Sequence, residues 1–117
     1  MKNCHVYIAG PISKGDFLDN IRSGIDAGNR VWRTEGLGFI PFIPHLDMLL
    51  CLLHPFTWEE VLQLDEAWLL KCDAMLRIPG ESPGADREEA FCAEHGIPVF
   101  HSEETLIEWR REQLRVA

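Results

Sequence analysis

The sequence is short of positive charge. Eleven lysines and arginines stand against 19 aspartates and glutamates, which gives a net charge of −8 at pH 7. Surfaces that bind nucleic acids are normally basic, so we expect no nucleic-acid polymer as a partner. A nucleotide-sized ligand is compatible with this charge, because backbone amides and one or two side chains are enough to hold a phosphate.

Motifs of several well-defined function classes are also missing. There is no G-x-G-x-x-G or Walker sequence for a nucleotide cofactor, and no G-x-S-x-G elbow for a serine hydrolase. His45, Asp47 and His54 come from one apolar segment, without the H-x-x-x-H spacing typical of zinc sites. We therefore expect neither a cofactor nor a metal.

Long apolar runs and C-x-x-C pairs are absent as well. The longest apolar run, 48–53, is far too short to span a bilayer, and the run near the start is too short for a signal peptide. The four cysteines are expected to be buried free thiols in a reducing compartment. These features predict a cytoplasmic protein with no membrane partner.

The sequence does contain an alternation of strand and helix patterns, and its 117 residues should form one domain, 1–117. Helical patterns of ten or more residues follow each strand pattern, which predicts right-handed crossovers and a parallel sheet. Pro41 favours an outer position for the second strand, and 44–55 is expected to be a loop. The four strands are expected at 6–9, 38–43, 74–78 and 97–100.

Two helices have apolar residues at helical spacing. The first is expected to bury one face, made of Phe17, Ile21, Ile25, Gly28, Val31 and Trp32. On the second helix, Asp65 interrupts a stripe made of Trp58, Val61, Trp68 and Cys72. A buried unpaired carboxylate is costly, so Asp65 either caps the first helix, pairs with an arginine, or serves as an acid that faces a pocket. The last is favoured, because this helix leads directly into the third strand.

The turns at 10–15 and 79–84 follow the first and third strands, and ligands of parallel sheets bind at such carboxyl ends. Ser82 precedes Pro83 and is a good N-cap for the third long helix, whose free N–H groups could hold an anion. Its hydroxyl could also contact a ligand, and the two roles are compatible. The turn at 10–15 is by itself more often only a tight connection.

Glu88 lies about one and a half turns into this helix. Periodicity leaves open whether Glu88 or Glu89 faces inward, or whether both are solvated; the bulkier neighbours Phe91 and Cys92 favour Glu88. A carboxylate near a helix N-terminus is stabilised as the anion, which suits a nucleophile better than a general acid.

Three blocks of residues together resemble the nucleoside 2-deoxyribosyltransferase superfamily, most closely its 2'-deoxynucleoside 5'-phosphate N-hydrolase branch. Each block alone is unspecific, but their order and spacing agree from the first strand to the fourth. Pro11 departs from the serine usual in that branch, and Ser13-Lys14 stands where an arginine is usual. The blocks are Tyr7-x-Ala9-Gly10-Pro11-Ile12-Ser13, Asp65-x-x-Trp68-Leu69-x-x-Cys72-Asp73 and Ser82-x-Gly84-Ala85-x-x-Glu88.

The resemblance implies a flavodoxin-like three-layer α/β sandwich with a four- or five-stranded parallel sheet. It implies that Glu88 attacks the anomeric carbon, that Asp65 engages the sugar hydroxyls and that Tyr7 lies near the glutamate. Ser82, where the transferases have an aspartate, favours a 5'-monophosphate. Gly10, Ile12 and Ser13 would supply the phosphate-binding turn, and Gly84 would be a further substrate-binding residue.

The activity expected from the resemblance is cleavage or transfer at the N-glycosidic bond of a (deoxy)nucleoside 5'-monophosphate, in a homodimer or larger homo-oligomer. Two alternatives stay open. One is a deoxyribosyltransferase that acts on unphosphorylated nucleosides. The other is a protein without turnover, either a nucleotide-binding module or a partner-binding protein with a vestigial pocket.

Overall fold

The structure is a computed structural model and describes residues 2–116. In this part of the chain, four strands alternate with helices. The strands are β1 (Cys4–Ala9), β2 (Phe39–Phe42), β3 (Ala74–Arg77) and β4 (Val99–Phe100). The helices are α1 (Phe17–Arg33), α2 (Asp47–Leu53), α3 (Trp58–Leu69), α4 (Pro83–His95) and α5 (Glu103–Val116), and a 3₁₀ turn at Pro44–Leu46 precedes α2.

The described strands form one parallel sheet in the order β2-β1-β3-β4. The predicted parallel sheet is therefore confirmed, and so is the outer position of the strand that contains Pro41. The chain winds outward in one direction from β1 to β2 and in the other from β3 to β4. The point where the order reverses lies between β1 and β3, where parallel sheets bind their ligands.

Helices cover both faces of the sheet, and alternate residues of β1 supply the two cores. Val6 and Ile8 pack with residues of α1 and α5, such as Val31 and Leu106. Tyr7 instead belongs to the core on the opposite face, together with residues of α3 and α4. The protein is thus a flavodoxin-like three-layer sandwich, and Tyr7 extends from the central part of the sheet toward α4.

Two helix ends are fixed by residues close to them in sequence. Thr57 and Glu60 form a reciprocal capping box at the start of α3. Gly96 ends α4 with a φ of 69°, in the left-handed region that favours glycine. None of the helices in residues 2–116 is long and apolar enough to cross a membrane.

Three expectations about packing are wrong. The segment 44–55 is not a loop, because it contains a 3₁₀ turn and α2. Apart from Asp47, α2 is apolar on all sides, so its sequence shows no helical period. On α1, three residues of the face predicted to be buried, Phe17, Ile25 and Trp32, are exposed. On α3 the buried row is Leu62, Asp65 and Leu69, whereas both tryptophans of the predicted stripe are more than half exposed.

The α1 helix packs through small residues instead, which let its axis approach the sheet closely: Gly24, Ala27, Gly28 and Val31. The cysteines also differ from expectation, because Cys51 and Cys72 are only partly buried, although all four thiols are free. Burial raises the pKa of Cys4 and of Cys92 to about 11, which makes both thiols unreactive.

Gly24 packs directly against the ring of His45, which is almost fully buried in the 3₁₀ turn. A Cβ atom at position 24 would overlap the imidazole ring. Burial lowers the pKa of His45, although the Pro11 backbone and the charge of Asp47 act against it, so the ring is neutral. The contact fixes the 3₁₀ turn, and with it the start of α2, against α1.

We predict that Gly24→Ala lowers the free energy of unfolding by about 1–3 kcal/mol through overpacking. Alanine is the better helix former by about 1 kcal/mol, so a site with free space would give the opposite sign. Urea denaturation measures the change. The loss should be largely absent when the same substitution is made in a His45→Ala background, and a stabilised Gly24→Ala protein would contradict the contact.

Candidate active site

A cleft with a volume of about 360 Å³ opens at the carboxyl ends of β1 and β3. Its walls come from the turn after β1, the segment with the 3₁₀ turn and α2, the first turns of α3 and the N-terminus of α4. Seven of the eight residues predicted for the site line it, and the eighth, Tyr7, lies behind them. The seven are Gly10, Ile12, Ser13, Asp65, Ser82, Gly84 and Glu88.

The start of α4 forms one side of the cleft. The Ser82 hydroxyl accepts a hydrogen bond from the Ala85 N–H at 3.0 Å, so the predicted N-cap is confirmed. At Gly84, a Cβ atom would meet Leu62 at 3.6 Å and the Ser82 hydroxyl at 4.0 Å, which are both ordinary contact distances. Neither packing nor a left-handed φ requires this glycine, so its effect is to keep the backbone open to the cleft.

The turn after β1 is held by Asn20, a residue that the sequence analysis missed. The Asn20 side-chain amide donates to the carbonyls of Ile12 at 3.1 Å and Lys14 at 2.6 Å. This double contact fixes the turn against the first helical turn of α1. Lys14 is the only cation among the cleft-lining residues in the described part of the chain.

Glu88 lies inside the protein, 5% exposed, and accepts a hydrogen bond from the Tyr7 hydroxyl. Glu89 points the other way, toward Arg77 at 3.3 Å and His101 at 2.5 Å. The alternative that periodicity left open is thereby settled, because Glu88 is the inward carboxyl. Tyr7 is itself fixed by stacking on Phe42, with the ring centroids 5.5 Å apart.

Burial raises the pKa of Glu88 to about 7, although the hydrogen bond from Tyr7 lowers it. The expectation of a strongly stabilised anion is therefore wrong, because loss of hydration outweighs the favourable helix N-terminus. Burial and the neighbouring Glu88 raise the pKa of Tyr7 well above its usual range, so the phenol stays protonated and donates. Near neutral pH, Glu88 is a carboxylate in a substantial fraction of molecules.

Asp65 is 4% exposed, and its Oδ1 atom has no hydrogen-bond donor among residues 2–116. The capping and arginine-pairing alternatives are wrong, because Asp16 caps α1 and the nearby Arg87 pairs with Glu59 and Glu66. Two groups lie within hydrogen-bonding reach of Asp65: the carboxyl group of Asp47, and the Tyr7 hydroxyl that also donates to Glu88. Burial first, and then Asp47, raises the pKa of Asp65 far above its usual range, although Tyr7 lowers it.

Asp47 is the second site residue that the sequence analysis missed. The sequence indicates it only as a poor metal ligand, together with His45 and His54. Within residues 2–116, no group of three or more histidine, cysteine, aspartate or glutamate side chains is arranged to hold a metal ion. The available signal was an aspartate at the start of an otherwise apolar segment, but its neighbour in space is 18 residues away.

Comparisons with protein-family models, with curated proteins and with solved structures find no match to this chain. The functional roles considered below therefore rest on the three sequence blocks and on the geometry of the cleft.

The burial of Glu88 predicts a pH-dependent cost in stability. Its folded-state pKa of about 7 lies above the ordinary 4.5, so between these values the folded state binds more protons and stability falls as pH rises. Glu88→Gln removes this cost and keeps an acceptor for Tyr7. We expect it to be more stable than the native chain by on the order of 2–3 kcal/mol at pH 8, with little difference at pH 5.

Denaturation at the two pH values measures this difference. Glu89→Gln is the matched control, because Glu89 is on the same helix but is partly exposed and paired with Arg77. It should give no gain at pH 8. A Glu88→Gln effect that is equal at pH 5 and pH 8 would contradict the raised pKa.

Proposed function

We propose that this protein cleaves the N-glycosidic bond of a (deoxy)nucleoside 5'-monophosphate, or transfers the sugar phosphate to a second base, with Glu88 as the nucleophile. The observation that carries the proposal is that two buried carboxyl groups, those of Glu88 and Asp65, line the same cleft as the N-terminus of α4. Such a cleft offers a carboxylate that can attack an electron-poor sugar carbon and a helix N-terminus that can bind a phosphate.

The chemistry needs a carboxylate beside the anomeric carbon. Cleavage of a glycosidic bond passes through an oxocarbenium-like state, which a carboxylate captures as a glycosyl ester. The C1'–N bond breaks, and its electron pair leaves with the base. Water then attacks C1' and frees Glu88, or a second base does so in a transfer reaction. Tyr7 donates to the Oε2 atom of Glu88, which orients the carboxylate.

The 5'-phosphate would bind at the start of α4. There the Gly84 backbone and the Ser82 hydroxyl line the cleft at the positive end of the helix dipole, while the Ala85 and Asp86 N–H groups bond to Ser82. Lys14, in the turn that Asn20 fixes, supplies a positive charge on the other side. The base would lie against the apolar wall, which is made of Met48, Cys51, Phe56, Trp58 and Val61. This wall offers little hydrogen bonding to the edges of a base. We therefore expect the shape of the base to determine which nucleotide binds.

We also propose that the protein is a homodimer or larger homo-oligomer in the cytoplasm. The exposed leucines around α2 would suit an interface between copies: Leu46, Leu49, Leu52 and Leu53. The free thiols suit a reducing compartment.

A screen of nucleoside 5'-monophosphates and the matching nucleosides, with free base measured by chromatography, tests the proposal. We expect base release from one or more monophosphates. In Ser82→Asp the helix cap is kept, but a negative charge opposes the phosphate. We expect kcat/KM for the monophosphate to fall about 100-fold or more, because like charges brought together cost several kcal/mol, while kcat/KM for the nucleoside changes little.

Ser102→Asp is the matched control, because Ser102 caps α5 in the same way, away from the cleft. Equal losses on both substrates in Ser82→Asp would remove the case for a phosphate at this helix. A native protein that acts only on nucleosides would be a deoxyribosyltransferase. A protein that nucleotides stabilise against heat, without any release of base, would be a binding module.

A further inference from the structure

The carboxyl group of Asp47 is turned inward, although α2 as a whole buries no residue. The Asp47 Oδ2 atom is inaccessible to solvent and has no hydrogen-bond donor among residues 2–116. The Oδ1 atom of Asp65 is likewise inaccessible to solvent and lacks a donor among these residues. The two carboxyl groups lie within hydrogen-bonding reach of each other. Two adjacent buried anions would be strongly unfavourable, so a proton between the two groups is the arrangement that satisfies both oxygens.

We propose that Asp47 is a positioning residue that shares a proton with Asp65 and so keeps Asp65 protonated as the acid for the leaving base. This inference rests on the proposed function, because it gives Asp65 a step in that reaction. Asp65 lines the cleft, whereas Asp47 lies behind it and acts through Asp65.

The proton balance of the reaction follows. In the first step, the Glu88 carboxylate forms a bond to C1' while the C1'–N bond breaks. The Asp65 O–H proton goes to a basic atom of the base, which leaves neutral. In the second step, water attacks C1', the ester bond to Glu88 breaks, and the proton that the water loses returns to the Asp65–Asp47 pair. The products are the free base and the sugar phosphate.

The surroundings of Asp65 and Glu88 favour Asp65 as the acid and Glu88 as the nucleophile. Tyr7, Glu88 and Asp47 are the ionisable groups that face Asp65; none of them is a cation, and only the Tyr7 hydroxyl favours the Asp65 anion. Glu88 accepts the hydrogen bond of the Tyr7 hydroxyl and also feels the positive charge of Arg77, along with the negative charges of Glu66 and Asp47. Two carboxyl groups whose environments favour opposite protonation states are suited to act as an acid and a nucleophile.

Asp47→Asn tests the inference through the pH dependence of kcat/KM. In the native protein the rate should fall at high pH as Asp65 loses its proton. The amide introduced by Asp47→Asn donates to the Asp65 carboxylate and removes the shared proton, so this alkaline limb should move down by at least one pH unit. At pH 8 we expect at least a tenfold loss. Asp26→Asn, an exposed change on α1, should leave the profile unchanged.

A substrate that needs no acid separates this role from a merely structural one. The N7-methylated guanine nucleotide has a cationic base that leaves without being protonated. We expect Asp47→Asn to cleave it at close to the native rate, while the same variant loses activity on the unmethylated nucleotide. Equal losses on both nucleotides, or an unshifted alkaline limb, would overturn the role of Asp47 and leave the proposed glycosidase intact.

The shared proton can also be measured without turnover, by carbon-13 NMR of aspartate side chains over a pH titration. We expect one carboxyl carbon to titrate well above pH 7, to vanish from the spectrum in Asp65→Asn and to titrate at lower pH in Asp47→Asn. A spectrum in which every aspartate titrates below pH 5 would overturn the pair. Detection of the pair in a protein that releases no base would overturn the reaction instead.

Discussion

The hydrogen bond between Tyr7 and Glu88 is the contact on which the candidate site depends. It joins the central strand β1 to helix α4 across the interior. It is possible only because Tyr7 is in the set of β1 side chains that face α3 and α4. A carboxyl group at this depth loses its hydration, and the phenol returns one strong hydrogen bond to it. Without that donor, the pKa of Glu88 would be higher and the carboxyl group would stay protonated.

Other parts of the fold bring Glu88 to this position. Ser82 fixes where α4 begins, which sets the register of every later residue of the helix. Arg87, next to Glu88 in sequence but on the outer side, bridges to Glu59 at 2.7 Å and Glu66 at 3.1 Å. These bridges tie α4 to α3, the helix that carries Asp65. The pairs are partly exposed and contribute little to stability individually, but they fix how the two carboxyl-bearing helices lie against each other.

Much of the fold could be predicted from local patterns. The alternation of strands and helices, the cap at Ser82 and the edge position of Pro41 all depend on residues close in sequence. The same local information misplaced Trp58 and Trp68, because helical spacing identifies an apolar row but not which row faces the sheet. Helix α2 escaped detection because a short segment that is apolar on all sides has no period.

Most residues of the candidate site could be predicted from the sequence, but the pKa values of its carboxyl groups could not. A helix N-terminus and burial act on Glu88 in opposite directions, and only the structure gives the degree of burial that decides between them. The contact between Asp47 and Asp65 depends on where α2 lies against α3, which no local pattern encodes. Asn20 was missed for a similar reason, since its two carbonyl partners belong to a turn whose conformation had to be known first.

The proposed reaction requires a covalent bond between Glu88 and the sugar. Mass spectrometry of protein quenched during turnover of a nucleoside 5'-monophosphate detects this bond. We expect a sugar-phosphate ester on the peptide that contains Glu88 in the native protein and in Glu89→Ala. We expect neither ester nor free base in Glu88→Ala, which should still bind the nucleotide. Base release by Glu88→Ala, or an ester on another residue, would show that Glu88 is not the nucleophile.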